Sequence, residues 1–141
     1  MFTKTETIRF RHTDFAGIVF YPRFLEMWND LVEDWFAEAL ERPFSAIHKS
    51  NGVPTVDLKV RFLAAARIGA VLQKHLWVVK LGKSSVTLGF RFEHVAGPIV
   101  LEGEATLVNV LLNKGEGGLV SQPFSEEMQI KIKRYQPQEE L

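Results

Sequence analysis

Two residues three apart, Asp14 and Gly17, stand just before a long apolar segment that opens with Tyr21 and Pro22. The Asp-x-x-Gly spacing is typical of a tight turn, and proline is tolerated in the first turn of a helix, where its missing N–H would have had no partner. A carboxylate would then lie beside a helix N-terminus, where unpaired N–H groups and the positive end of the helix dipole converge. Such a site can stabilise a developing oxyanion while the carboxylate attacks or activates water.

The same residues have plainer interpretations. An aspartate before a turn often forms an Asx-turn or a cap, in which its side chain bonds to nearby backbone. Gly17 would let the backbone approach a substrate, because no side chain stands in the way. His12 could orient Asp14, contact a substrate or simply lie on the surface. The sequence thus offers Asp14 as a nucleophile or as a general base and leaves the choice open.

The elements that would position this turn follow from hydrophobic periodicity. Residues 5–11 alternate between apolar and charged side chains, which predicts a short strand with Ile8 and Phe10 on one face. From Pro22 to about Leu40, apolar residues recur at steps of three and four, which predicts one long helix with a single apolar stripe. The stripe consists of Phe24, Trp28, Leu31, Val32, Trp35, Phe36, Ala39 and Leu40.

Four strand-like segments follow the helix, and the turn signals between them predict successive antiparallel hairpins. The segments lie at about residues 56–62, 71–81, 86–92 and 98–112, and the turns at residues 67–69, 82–84 and 96–98. Residues 113–118 are typical of a flexible loop. Ser125 is the expected N-cap of a short helix at residues 126–134, and residues 135–141 are expected to fray.

Together these elements predict a single domain of residues 1–141 in the α+β class. One curved antiparallel sheet of about five strands would wrap around one long helix, with the aromatic stripe of the helix facing the sheet. Two of the strands carry apolar residues on both faces, which one helix does not cover. We therefore expect subunits of this chain to associate, unless mixed burial within one subunit accounts for the pattern.

Composition narrows the function classes. The chain is 46% apolar, and its 17 basic residues balance 17 acidic ones, so no net field attracts nucleic acid or an anionic membrane. The lack of cysteine removes disulfides and thiolate metal sites. The polar N-terminus is unlike a signal peptide, and no apolar run approaches the ~20 residues of a membrane span. We expect a cytoplasmic protein.

The four histidines lack the spacing of metal ligands, so no metal site is expected. They are His12, His48, His75 and His94. His48 is expected on the surface, and His75 and His94 are expected to pack or pair on the strands that carry them. No Gly-rich phosphate-binding loop follows a strand, and no Gly-x-Ser-x-Gly motif is present.

Residues 14–22 resemble the active-site segment of hotdog-fold acyl-CoA thioesterases of the 4-hydroxybenzoyl-CoA thioesterase family. The segment reads Asp14-Phe15-Ala16-Gly17-Ile18-Val19-Phe20-Tyr21-Pro22, and the order of the later elements also fits. The resemblance implies hydrolysis of an acyl-CoA thioester by Asp14, with the carbonyl polarised by backbone N–H groups near Tyr21. It implies no separate cofactor, since coenzyme A is part of the substrate. It also implies a homodimer with a continuous sheet, often paired into a homotetramer, with active sites at the dimer seam.

The resemblance extends to residues that would bind the substrate. Lys83 and Ser84, at a turn between strands, resemble a Lys-Ser pair that lies near the coenzyme A phosphates, where cations are expected. Arg67 is a second cationic candidate. Val53 and Pro54 begin the strand that would border the acyl slot, and Val53 differs from the small or hydroxyl residue usual there, which would alter acyl preference.

Two other functions fit the same architecture. One is an acyl-thioester dehydratase or hydratase, which needs a histidine with an acid on the central helix or the loop before it; here His12 lies outside the helix. The other is a non-catalytic acyl-binding oligomer. The sequence does not identify the acyl group, and a neutral chain favours coenzyme A over an acidic carrier protein as the donor.

Overall fold

The central element is helix α1 (Tyr21–Asp34), which a π-helical turn (Trp35–Ala39) extends. The computed structural model describes residues 1–47, 50–112 and 119–137. The predicted apolar stripe is buried except at Ala39, which is partly buried, and Leu31, Trp35 and Phe36 are at most 1% exposed. The long helix predicted from the periodicity is therefore confirmed, with its first residue at Tyr21.

Strands make up most of the remaining structure. In chain order they are β1 (Phe2–Thr7), β2 (Asn51–Gly52), β3 (Thr55–Phe62), β4 (Val71–Leu81), β5 (Ser85–His94), β6 (Ile99–Val108), β7 (Val110–Leu112) and β8 (Leu119–Ser121). Five of them form an antiparallel sheet in the order β1-β4-β5-β6-β3, and β2, β7 and β8 form a small second sheet. Two short helices, α2 (Phe44–Ile47) and α3 (Glu126–Lys133), complete the described elements.

The core lies between α1 and one face of the five-stranded sheet. Trp28 stacks on Phe90 with ring centroids 4.0 Å apart, and Phe24 meets Phe92 edge-on at 6.4 Å. Gly103 on β6 permits this close packing, because a Cβ there would lie 2.7 Å from the Phe90 ring. A sheet packed against one aromatic-faced helix is the α+β architecture predicted from the sequence.

The predicted strand at residues 5–11 is wrong in its bounds. Strand β1 ends at Thr7, whose partner Val71 is the first residue of β4, and the chain then forms a 3-10 turn at Phe10–His12. Ile8 is buried, whereas Phe10 is 80% exposed, so these two residues do not share a face.

The predicted hairpin between the first two of the four later strands is also wrong. The turn forms as expected, with the Ala70 N–H donating to the Arg67 carbonyl at 3.0 Å and Gly69 at φ +87°. However, β3 pairs with β6 at the far edge of the sheet and not with β4. Between these strands the chain therefore crosses the sheet, from the edge strand β3 to β4, which lies next to the opposite edge strand β1.

The C-terminal part follows the prediction less closely. The strand expected at residues 98–112 is interrupted at Asn109 and becomes β6 and β7. Helix α3 begins where expected, and the Ser125 hydroxyl accepts the Met128 N–H at 3.2 Å as its N-cap. His48, the loop at residues 113–118 and the end of the tail at residues 138–141 lie outside the described residues. None of the described helices is long and apolar enough to cross a lipid bilayer.

Candidate active site

Residues 12–20 form a tight hairpin that leads directly into α1. Its ladder is closed by the Asp14 N–H, which donates to the Ile18 carbonyl at 2.9 Å, and by the Phe20 N–H, which donates to the His12 carbonyl at 2.9 Å. On its other side, the Val19 N–H donates to the Ala66 carbonyl at 2.9 Å. The hairpin is thus fixed both internally and to the segment that precedes β4.

The tip of the hairpin explains the Asp-x-x-Gly spacing. The Gly17 N–H donates to the Asp14 carbonyl at 3.0 Å, and the Ala16 N–H donates to Asp14 Oδ1 at 2.8 Å, which is an Asx-turn. Gly17 has φ +79°, a conformation that favours glycine. The turn holds one oxygen of the exposed carboxylate in place, while Asp14 Oδ2 bonds to none of the described residues.

The start of α1 leaves one backbone donor unused. Pro22 has no N–H, and the Arg23 N–H donates back to the Phe20 carbonyl at 2.8 Å. The N-cap residue Phe20 offers no side-chain acceptor, and the Tyr21 N–H has no acceptor among the described residues. An unpaired N–H at the positive end of a helix is suited to bind a carbonyl oxygen that gains negative charge.

Aromatic side chains surround this junction on the surface. The rings of Phe20 and Tyr21 lie 5.7 Å apart, and the Tyr21 ring lies 5.9 Å from that of Phe62 on β3. These three side chains are 44%, 60% and 47% exposed, and Phe15 at the hairpin tip is fully exposed. Exposed aromatic residues in one place indicate a surface that meets a ligand or another protein.

Arg67 lies against the hairpin. Its Nη1 atom is 3.6 Å from the position that a Cβ on Gly17 would take, and its backbone forms a bridge with Ile18. The guanidinium is exposed and forms no ion pair within the part of the chain that the structure describes. Of the predicted cationic candidates, Arg67 is therefore the one that lies beside the hairpin tip.

The side chain of His12 makes no hydrogen bond to the Asp14 carboxylate, which bonds only to the Ala16 N–H among the described residues. The His12 side chain is buried, at 6% exposure, and lines a polar cavity of about 180 Å³ together with Glu6, Asp30 and other charged residues. The Arg9 N–H donates to its Nδ1 atom at 2.8 Å. Burial, followed by the charge of Arg11, lowers the pKa of His12 below 6.5.

A buried ion pair, which the sequence reasoning missed, involves Glu6 of the cavity lining. Lys74 is 3% exposed, and its Nζ donates to Glu6 Oε2 at 3.1 Å. The signal was present, because Lys74 falls between Leu72 and Leu76 on the apolar face of β4. Burial raises the pKa of the nearby Asp30 carboxyl, an effect that the Lys74 charge opposes.

The remaining predicted site residues lie elsewhere. Val53 borders an apolar cavity of about 200 Å³ between α1 and β3, which Trp28 and Leu58 also line. The Pro54 carbonyl accepts the Val108 N–H at 3.1 Å. Lys83 and Ser84 follow β4 at the end away from the hairpin, and β4 has 11 residues, so about 36 Å of strand separates them from it.

The predicted pairing of the other described histidines is confirmed. His75 bonds through Nδ1 to the Thr3 hydroxyl and through Nε2 to the Glu93 carboxylate, both at 2.8 Å. His94 Nε2 bonds to the Ala65 carbonyl at 3.1 Å. Within residues 1–47, 50–112 and 119–137, no three histidine or acidic side chains are grouped so as to hold a metal ion.

The sequence from residue 8 to residue 132 matches the model of the thioesterase-like superfamily. No curated protein matches the chain.

Solved structures share the fold along nearly the whole chain. The dynemicin thioesterase is 18% identical, with a TM-score of 0.87 over 97% of this chain and 98% of that one. A 1,4-dihydroxy-2-naphthoyl-CoA thioesterase from Synechocystis is 19% identical, with a TM-score of 0.83 over 93% and 94%. A 4-hydroxybenzoyl-CoA thioesterase with an aspartate replaced by asparagine, complexed with 4-hydroxybenzoyl-CoA, is 18% identical, with a TM-score of 0.83 over 93% and 97%. The fold is the hotdog fold that these enzymes share.

Proposed function

Because this chain belongs to the thioesterase-like superfamily, we propose that it hydrolyses an acyl-CoA thioester to the free acid and coenzyme A, with Asp14 as the catalytic carboxylate. The observation that carries this proposal is the presence of two unpaired groups on one short stretch of chain. Asp14 Oδ2 and the Tyr21 N–H both lack a hydrogen-bond partner among the described residues. Asp14 lies in the hairpin of residues 12–20, and Tyr21 follows that hairpin directly as the first residue of α1.

The chemistry follows from these two groups. The Tyr21 N–H and the helix dipole stabilise the oxyanion that forms when the thioester carbonyl is attacked. Asp14 acts in one of two ways. As a nucleophile it forms a mixed anhydride and expels the coenzyme A thiolate, and water then cleaves the anhydride. As a general base it takes a proton from the water that attacks the carbonyl.

The acyl group would lie along α1. The apolar cavity between α1 and β3 is lined by Trp28, Leu58 and Val53, and it lies on the side of the helix where Tyr21 meets Phe62. Arg67 beside the hairpin offers a cation for the phosphates or for the developing charge. Named neighbours of this fold act on acyl-CoA substrates, which supports coenzyme A as the thiol.

A second copy of this chain would complete the site. Strand β3 is an edge of the five-stranded sheet, and its apolar side chains Val56, Leu58 and Phe62 are between 39% and 61% exposed. An edge with exposed apolar residues is suited to pair with another strand. Strand β4, about 36 Å long, separates Lys83 and Ser84 from the segment that holds the hairpin, so they would serve the site of another subunit.

A thiol-trapping assay over aromatic, short-chain and long-chain acyl-CoAs tests the proposal. The Asp14→Asn variant should lower kcat by about 10²–10⁴-fold on any substrate that the wild type hydrolyses. Asp34→Asn is the matched control, since Asp34 lies at the other end of α1, and it should leave the rate unchanged. Full activity in Asp14→Asn would refute the assignment, and acyl-CoA binding without thiol release would indicate the non-catalytic alternative.

A further inference from the structure

His12 connects the two strands at the base of the active-site hairpin. Its ring Nδ1 accepts the Arg9 N–H at 2.8 Å, and its carbonyl accepts the Phe20 N–H at 2.9 Å. Phe20 is the N-cap of α1 and directly precedes Tyr21. The side chain of His12 therefore fixes the 3-10 turn, while its backbone fixes the residue that aims the Tyr21 N–H.

The bond from Arg9 defines the protonation state of the ring. A backbone N–H can only donate, so Nδ1 must be the unprotonated nitrogen, and the neutral ring carries its proton on Nε2. If the ring were protonated, its Nδ1–H would face the Arg9 N–H across 2.8 Å, and neither group could accept a hydrogen bond. Protonation of His12 is thus incompatible with the observed turn.

Charged groups from three neighbouring elements face this histidine. Glu6 of β1, Arg11 of the same turn, and Arg23, Glu26 and Asp30 of α1 line the cavity with it. Lys74 of β4 is bonded to Glu6 at 3.1 Å. Burial, Arg11, Arg9 and Arg23 all lower the pKa of His12, whereas Glu6 opposes them. The environment favours the neutral ring that the turn requires.

We propose that neutral His12 is a positioning residue that holds the hairpin and the Tyr21 N–H in their reactive arrangement, and that its protonation in acid releases this arrangement and lowers kcat. The inference rests on the proposed function only in its effect on kcat. The ring does not touch the substrate in this account. It acts through the backbone of Arg9, Phe20 and Tyr21.

Two substitutions separate the acceptor from the titrating group. Asparagine carries its side-chain oxygen on Cγ, as histidine carries Nδ1, so His12→Asn keeps an acceptor for the Arg9 N–H and does not titrate. His12→Ala removes the acceptor. We expect His12→Ala to lower kcat by about tenfold at neutral pH with KM within about twofold of wild type. We expect His12→Asn to keep kcat within about threefold and to lose activity in acid at a lower pH than wild type does.

Two measurements are independent of activity. Nitrogen-15 NMR of the imidazole should show the Nε2–H tautomer and a pKa below 6.5 for His12. Because the folded pKa is lowered, the unfolded chain binds the proton first, so wild-type stability should fall as pH drops through 6.5 toward the folded pKa. The melting temperature of His12→Asn should depend less on pH over this range.

The outcomes distinguish this inference from the proposed function. If the wild type hydrolyses acyl-CoA but His12→Asn and the wild type share one acid profile, the inference is overturned and the function stands. An Nδ1–H tautomer overturns it even if no substrate is found. Should His12→Ala fail to fold, the comparison of wild type with His12→Asn still decides the question.

Discussion

The two ends of α1 are built in opposite ways. At the C-terminal end, Trp35 and Phe36 of the π-helical turn that extends α1 are buried, and the Leu40 and Arg42 N–H groups donate to their carbonyls. At the N-terminal end, Phe20 and Tyr21 are exposed and the Tyr21 N–H has no acceptor among the described residues. The C-terminal end buries large aromatic side chains and stabilises the fold. The N-terminal end leaves a backbone N–H and aromatic side chains open to solvent, as expected of a surface that binds a ligand.

The largest effect on stability should come from the buried end. Phe36→Ala removes a ring that packs 5.4 Å from Trp35 and 5.3 Å from Phe44, and should cost about 3–5 kcal/mol of unfolding free energy. Phe15→Ala at the exposed hairpin tip should change it by less than about 0.5 kcal/mol. Chemical denaturation of both variants measures the contrast. Equal losses would show that the two ends do not differ as described.

Two glycine substitutions should each cause a smaller loss of stability, and only one of them should also lower the thioesterase activity. Gly17 and Gly69 have φ +79° and +87°, so replacing either by alanine should cost about 1–2 kcal/mol. Only Gly17→Ala distorts the turn that holds the Asp14 carboxylate, so only this variant should also lose thioesterase activity per folded molecule. Parallel melting curves and initial rates compare them. Loss of activity in Gly69→Ala alone would contradict the role given to the hairpin tip.

Features with a strong local period could be predicted from the sequence. The apolar stripe of α1, the apolar run of β4 and the alternation in β5 gave these elements nearly to the residue, because burial imposes these patterns. The strand proposed for residues 5–11 failed because Arg9-Phe10-Arg11 continues the alternation, whereas β1 has no pairing partner beyond Val71. A local pattern does not show where a strand loses its neighbour.

The pairing of the strands and the shortest strands could not be predicted from the sequence, because neither leaves a local pattern. The turn at residues 67–69 was visible, but nothing local to it indicates that β3 pairs with β6. Strands β2 and β8 have two and three residues, too few to show a period. The candidate site was proposed from the turn and helix signals of Asp14, Gly17 and Pro22, and its catalytic role stays a prediction. The burial of His12 depends on the 3-10 turn, which no spacing indicated.

The Tyr21 N–H provides the most direct test of the central claim, that a hairpin carboxylate and a free helix N–H act together on a thioester. Tyr21→Pro removes this donor at a helical position that suits proline, and Phe20 is already extended, with ψ 121°. Tyr21→Phe keeps the donor. With an acyl-CoA that the wild type hydrolyses, kcat should fall about 10²–10³-fold in Tyr21→Pro and stay near wild type in Tyr21→Phe. Wild-type kcat in a folded Tyr21→Pro protein would contradict the account.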